Sequence, residues 1–600
     1  MTEVAVETPT YRHYIAGEWC DSTSGETFES RNPANRNDVI GRFQQGTKAD
    51  VAMAVSAAWA ARPMWQRTPA PKRGEILFRF AQLMADNKER LSQAMTREMG
   101  KVIAEARGDV QEGIDIAFLM AGEGRRMHGD TVPSELPDKW AMSIRQPIGF
   151  AGIITPWNFP MAIPCWKMMP ALVTGNVVVF KPSSDTPHCA TLLVELLAEA
   201  GIPPGVVNLV TGTGREVGDA IVENPDIGVI SFTGSSVTGK SIALRAGERL
   251  KRLSLELGGK NGVVVLADAD LDLATDGILW SAFGTTGQRC TAASRVIVER
   301  PVVDGLLQRL ESRAKKLRLG DGLDPATDVG PLVNEPAVDK VASYIDIGRS
   351  EGELVMGGGR ATDGPLGDGH FFEPTIFAGV SPMDRIGQEE IFGPVLSIIP
   401  VADYNEAMMA LNQTRYGLSS SIFTSDVNMA FRAMRLRDRH RLRQRRHDRC
   451  RGPPAVRRLE GDRQRPPRGR QHRARHVHRV EVDLRRLQRP AAEGPDRQPG
   501  VGRVDGEGIA AQRRHPALSR RQRWNRGPAR ASGRPRLGEA PRRSLVDPEG
   551  RDRGGRGAVG RRPSRVRGGD RASRAGRRFD RARRDHPEGW QGRRRVGARG

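Results

Sequence analysis

Between residues 149 and 232 two hydrophobic rhythms alternate along the chain. Gly149-Phe150-Ala151-Gly152-Ile153-Ile154, Gly175-Asn176-Val177-Val178-Val179-Phe180, Gly205-Val206-Val207-Asn208-Leu209-Val210 and Ile227-Gly228-Val229-Ile230-Ser231-Phe232 are short, rich in β-branched residues and nearly continuous in apolar ones. Strands buried on both faces of a parallel sheet have this pattern. The segments between them read as helices, clearest from Cys189 to Ala200, where Leu192, Leu193, Leu196 and Leu197 share a face and Gly201 supplies the stop. Strand, helix, strand repeated in this way predicts a doubly wound α/β dinucleotide-binding layout.

The flanking patterns differ. Residues 11–45 read as short strands and turns wrapping a larger domain. From Lys48 to about Gly124, stretches such as Glu75 to Met84 place apolar residues three and four apart, as amphipathic helices covering a sheet do. Asp130-Thr131-Val132-Pro133 and Trp140 to Pro147 form an extended, proline-bounded stretch. From about Leu257 to Arg435 a second α/β unit is expected, with strands at Asn261 to Leu266 and Val395 to Pro400, meeting the first across a cleft of the kind that binds ligands. The expected division is residues 1–125 with 149–256 as the nucleotide-binding domain, a hairpin at 126–148, the second α/β domain at 257–435, and a tail at 436–600.

Charge separates that tail from the rest. Residues 1–435 hold 43 Lys and Arg against 53 Asp and Glu, a net of −10, whereas residues 436–600 hold 51 Arg, no Lys and 18 acidic residues, a net of +33. The basic balance of the whole chain therefore says nothing about partners of the first part. About 435 residues exceed what one hydrophobic core usually supports, so at least two domains follow. Cys20, Cys165, Cys189, Cys290 and Cys450 are few, odd in number and scattered, which suggests free thiols in a reducing compartment. Met1 to Thr10 lacks a leader pattern and no apolar run reaches membrane length, so a cytoplasmic protein is expected. No Cys and His cluster has zinc-ligand spacing, and no metal site is expected.

The candidate chemistry centres on Gly287-Gln288-Arg289-Cys290-Thr291 and on Glu256 in Leu255-Glu256-Leu257-Gly258-Gly259-Lys260-Asn261. A cysteine in Gly/Thr-rich turn chemistry with a carboxylate upstream reads as a thiol nucleophile and a general base; by itself such a thiol is more often a small buried hydrophobe. Phe232-Thr233-Gly234-Ser235 marks a strand-to-helix turn whose free N–H groups can face a pyrophosphate. Lys181 after one strand, with Gly212 and Gly214 after another, favours nucleotide binding over a plain turn.

These segments occur in one order with Thr155-Pro156-Trp157-Asn158-Phe159-Pro160, Phe180-Lys181-Pro182-Ser183-Ser184 and Glu389-Glu390-Ile391-Phe392-Gly393-Pro394. Together they resemble the aldehyde dehydrogenase superfamily, from about Tyr11 to about Arg435. The resemblance implies oxidation of an aldehyde to a carboxylic acid with NAD or NADP. Cys290 would be the nucleophile, Asn158 an oxyanion donor with the Cys290 N–H, Glu256 the base that activates water, and Lys167 either a proton relay or a surface lysine. Thr155, Trp157, Lys181, Gly214, Gly234, Ser235 and Leu257 would line the cofactor, with Glu390 and Phe392 at its nicotinamide end. Ser184 falls where many NAD-preferring members carry Glu, and a serine there removes the repulsion of a 2′-phosphate, which admits NADP. Arg289 would lower the thiol pKa, bind the carboxylate of a semialdehyde, or serve the backbone as a structural arginine. The hairpin resembles one that pairs with a neighbouring subunit, implying a homo-oligomer, dimer or tetramer. A CoA-acylating relative would differ in what attacks the thioester, and Glu256 favours water.

The tail has 20 Leu, Ile, Val or Phe among its 165 residues, too few for a packed core, so disorder is expected. An Arg/Gly-rich chain binds nucleic-acid phosphates nonspecifically, which gives an alternative function carried on an inactive scaffold. A third reading explains more. Codons allowed for residues 441–497, read one nucleotide later, can encode the missing end of an aldehyde dehydrogenase, including F-G-G-x-K and H-R-E segments. A one-base insertion near codons 435–440 would leave a catalytically defective chain.

Overall fold

A computed structural model describes residues 8–435; the expectations for the tail, Cys450 among them, lie outside the described residues. The apolar runs form a seven-stranded sheet in the order Arg252–Glu256, Val229–Thr233, Phe150–Ile154, Val177–Lys181, Val207–Leu209, His13–Ile15, Glu18–Cys20. The first five strands are parallel, in keeping with the complete burial of Phe150–Ile154 and Val177–Lys181. The last two are antiparallel additions from the N-terminal segment. Helices Ala162–Val173, Pro187–Glu199 and Ser236–Glu248 make crossovers between parallel neighbours.

Element boundaries differ slightly from the sequence pattern, for local reasons. The strand expected from Gly149 starts at Phe150, because Gly149 adopts φ +122, a region closed to most side chains. The helix expected from Cys189 starts at Pro187, where the missing proline N–H costs no hydrogen bond. The strand Arg252–Glu256 escapes the pattern altogether: it is the edge of the sheet, each of its residues is half-buried, and so it carries no continuous apolar run.

The second sheet has six strands in the order Glu353–Met356, Thr375–Ala378, Val395–Val401, Ala293–Glu299, Asn261–Val265, Ser420–Phe423. All neighbours are parallel except the first pair. Alternate side chains enter separate cores on its two faces: Val264, Ile297 and Ile399 on one, Val263, Val265, Val296, Val298 and Ile398 on the other. Thr131–Pro133 and Trp140–Met142 pair antiparallel as a separate hairpin. Among the described residues no helix is long and apolar enough to cross a membrane.

Register in the first sheet is what builds the site. Ile154 lies opposite Lys181 and Phe232, and Thr233 lies opposite Glu256. Thr155, Lys181, Gly234 and Glu256 therefore share one carboxyl-terminal rim, where open α/β sheets bind their ligands.

Candidate active site

Along this rim the backbone itself is the scaffold. The Thr155 N–H donates to the Lys181 carbonyl at 3.1 Å, while the buried Thr155 hydroxyl finds no partner among the described residues. Lys181 is buried, donates from Nζ to the Pro182 carbonyl at 2.6 Å, and is pushed down to about 8 by desolvation, with Asp185 opposing. Ser184 donates from Oγ to the Gly212 carbonyl at 2.9 Å. Gly214 faces open space. Ser235 caps the helix Ser236–Glu248 by accepting from the Thr238 N–H at 3.1 Å, Phe232 covers the spot where Gly234 would carry a side chain, and Leu257 packs on Gly239 of the same helix. An unpartnered hydroxyl, a buried ammonium and an open glycine-lined turn fit a phosphate-bearing ligand lying along the rim.

The second sheet supplies the rest through turns. Trp157 and Phe392 meet edge to face with ring centroids 5.6 Å apart, so the two segments named from sequence do join. Phe392 holds φ +63. Glu390 accepts from the Gly259 N–H at 2.9 Å, and Gly258 leaves room for that carboxylate. Before Cys290 the chain bends through Thr285 and Thr286 at φ 51 and 56, a left-handed conformation that β-branched residues rarely adopt and that surrounding contacts must hold. Gly287, at φ +69, packs against the Gly393 carbonyl. Gln288, buried beneath the turn, accepts from the Val333 N–H at 3.0 Å and donates to the Thr285 and Pro331 carbonyls. The Cys290 carbonyl accepts from Asn261 Nδ2 at 2.7 Å.

These two contributions converge on one thiol. Asn158, buried, donates from Nδ2 to the Gln288 carbonyl at 3.0 Å, which seats it two residues from Cys290. Burial pushes the Cys290 thiol up to about 11, and the carboxylates of Glu256 and Glu390 add to the shift. Lys167 donates to Ser231 Oγ at 3.0 Å; desolvation lowers it to about 8 against the pull of Glu256. A protonated thiol under the influence of two carboxylates, with a lysine whose pKa burial lowers to about 8, is a set of groups able to exchange protons near ordinary pH.

Arg289 points elsewhere. It donates to the Trp280 carbonyl at 2.6 Å, lies 4.4 Å above the Trp280 ring and 3.9 Å from Glu105. That is the arrangement of an arginine serving the backbone. Nothing in the sequence marks Lys340, which sits in an ordinary helix, Glu335–Glu351; burial lowers its pKa against the pull of Glu390. Among the described residues no three His, Cys, Asp or Glu side chains gather as metal ligands would.

A model of the aldehyde dehydrogenase family matches residues 19–438. The alpha-ketoglutaric semialdehyde dehydrogenase of Bacillus subtilis is 42% identical over 425 residues, 71% of this chain and 87% of that protein. The NADP(+) succinate-semialdehyde dehydrogenase of Escherichia coli is 38% identical over 418 residues, 70% of this chain and 86% of its own. A crystal structure of betaine aldehyde dehydrogenase from Staphylococcus aureus in complex with NAD+ superimposes with a TM-score of 0.69 at 35% identity, covering 70% of this chain and 84% of that one.

Proposed function

This chain belongs to the aldehyde dehydrogenase family, and from that premise we propose that Cys290, Glu256 and Asn158 carry its NAD(P)-dependent oxidation of an aldehyde to the carboxylic acid. An aldehyde has no leaving group, so its carbon must first be made tetrahedral. The Cys290 thiol releases its proton to solvent, and the sulfur, as the thiolate, bonds to that carbon. The Asn158 amide and the Cys290 N–H donate to the oxyanion of the thiohemiacetal. NAD or NADP, when bound, accepts the hydride; the residues that would hold it are Thr155, Trp157, Lys181, Ser184, Gly214, Gly234, Ser235 and Leu257, with Glu390 and Phe392 at the reacting end. Glu256 then takes a proton from the water that attacks the thioester, and Lys167 relays that proton outward through its contact with Ser231. The carrying observation is the bond from Asn158 to the Gln288 carbonyl, which joins the donor of one sheet to the nucleophile turn of the other.

The substrate we infer is a semialdehyde bearing a second carboxylate, as the names of the Bacillus and Escherichia relatives suggest. Arg289, occupied by Trp280 and Glu105, is read as structural. Ser184 supports NADP use. A panel of semialdehydes assayed with both cofactors checks the reading, and oxidation of unsubstituted aldehydes alone would overturn it. The exposed Val132, Trp140 and Met142 of the hairpin support a homo-oligomer, which sedimentation measures. Scattered free thiols support a reducing compartment, the cytoplasm.

The family match ends at residue 438, inside the stretch where the codon reading changes. We take this as support for a one-base insertion near codons 435–440. Resequencing checks it directly. Expressed as written, the chain is expected to turn over aldehyde far more slowly than a frame-restored one, and equal rates would remove the idea.

A further inference from the structure

Two charged residues four positions apart, Lys101 and Glu105, belong to neither the nucleophile turn nor the cofactor rim, yet each reaches into the site from the same bend. Lys101 is fully buried. Its Nζ bonds the Asn158 carbonyl at 2.7 Å and Asp109 Oδ2 at 2.8 Å, and lies 4.2 Å from the Phe159 ring centroid. Asp109 uses its other oxygen to accept from the Ala162 N–H at 2.8 Å, at the start of the helix that carries Lys167. Glu105 faces the opposite way. One carboxylate oxygen accepts from both the Thr285 N–H and the Thr285 hydroxyl, each at 2.7 Å, and the other lies 3.9 Å from the Arg289 guanidinium. Gly284 carries no side chain, and its Cβ position is filled by Arg289 and Glu105.

The bend between them is itself fixed. Gly100, at φ +90, ends one helix. Gly330 packs on the Gly100 carbonyl and Gly322 on that of Lys101, and the Ile103 N–H donates to the Gly322 carbonyl at 2.9 Å. Thr286 in turn donates to the Gly330 carbonyl at 2.9 Å. A buried ion pair is a costly way to gain stability, and left-handed threonines need outside support; both features here converge on the distance between Asn158 and Cys290.

We infer that the bend from Gly100 to Glu105 is a cross-brace in which Lys101 positions the Asn158 amide and Glu105 holds the strained Thr285–Thr286 turn, so that oxyanion donor and nucleophile keep a fixed separation. This rests on the proposed roles of Asn158 and Cys290. Lys101 and Glu105 are positioning residues, since neither is placed to touch the reacting atoms.

The test uses the full chain and reads Cys290 directly, by mapping its rate of alkylation with iodoacetamide, alongside kcat, cofactor KM and Tm. Glu105→Ala frees the turn and lets water reach the sulfur, so alkylation is expected to rise about tenfold while kcat falls by about tenfold or more at a near-constant cofactor KM. Glu105→Gln keeps an acceptor for Thr285 and is expected to recover most of both. Thr285→Gly loosens the same turn while removing strain, and is expected to alkylate faster even where Glu105→Ala fails to fold. Folded variants that alkylate at the parental rate overturn the brace. A frame-restored parent that reduces no cofactor with any aldehyde, while its variants show these alkylation differences, overturns the proposed function and leaves the brace standing.

Discussion

Along the rim of the seven-stranded sheet, Thr155, Lys181, Gly234 and Glu256 stand where parallel strands in register put them, and their neighbours are held by ordinary backbone bonds and a helix cap. The six-stranded sheet delivers Cys290 differently. The turn before that cysteine runs through two left-handed threonines, and it is tied down by Glu105, Asn261 and the bond from Val333 to Gln288, all from distant parts of the chain. A regular rim tolerates change at single positions because each strand end is fixed by its whole sheet. A strained turn depends on every contact that opposes its relaxation. Cofactor preference should therefore be tunable by one residue, whereas the thiol chemistry should fail abruptly.

Substitutions in the frame-restored enzyme can break this contrast, the greatest loss first. Cys290→Ala should abolish aldehyde oxidation by at least about a thousandfold with Tm close to the parent; an undiminished rate would dismiss the thiol mechanism. Glu256→Gln should lower kcat by roughly 10² to 10⁴ while a pre-steady-state burst of reduced cofactor survives, because thioester hydrolysis is what it slows. Loss of the burst along with turnover would move Glu256 to an earlier step.

The third test is a pH dependence in the cofactor-free protein. The Cys290 pKa is raised to about 11, above its ordinary value, so the thiolate is a minor form near neutrality. Alkylation should climb by close to tenfold per pH unit from about pH 8 to 10, and a plateau below about pH 9 would show a thiol already ionised. By the same sign, any stability the neutral thiol lends the fold is complete below the ordinary cysteine pKa and is lost as pH passes about 11. The smallest effect belongs to the rim. Ser184→Glu should shift the NADP to NAD preference by about tenfold with kcat nearly unchanged, as measured by kcat/KM for each cofactor; a fall in kcat of the same size would make the rim as brittle as the turn.

Legibility in the sequence followed the same division. The strands Phe150–Ile154 and Val177–Lys181 announced themselves because burial on both faces demands unbroken apolar runs. Arg252–Glu256 and Ser420–Phe423 did not, being sheet edges in which Ile422 alone is buried and no such run is needed. Cys290, Asn158 and Glu256 were nameable from their motifs, but Lys101 and Glu105 looked like any charged residues near a helix start, since what marks them is contact with residues 57 and 180 positions away.

The buried parallel strands, the helices between them and the candidates for nucleophile and rim were readable from the sequence alone, because burial periodicity and turn chemistry act over a few neighbouring residues. Only the tertiary structure decided that Arg289 faces Trp280 and Glu105, that the thiol rests protonated, and that one bend ties Asn158 to the nucleophile turn. Desolvation, side-chain direction and strain depend on which distant groups share a site, and no local pattern encodes that.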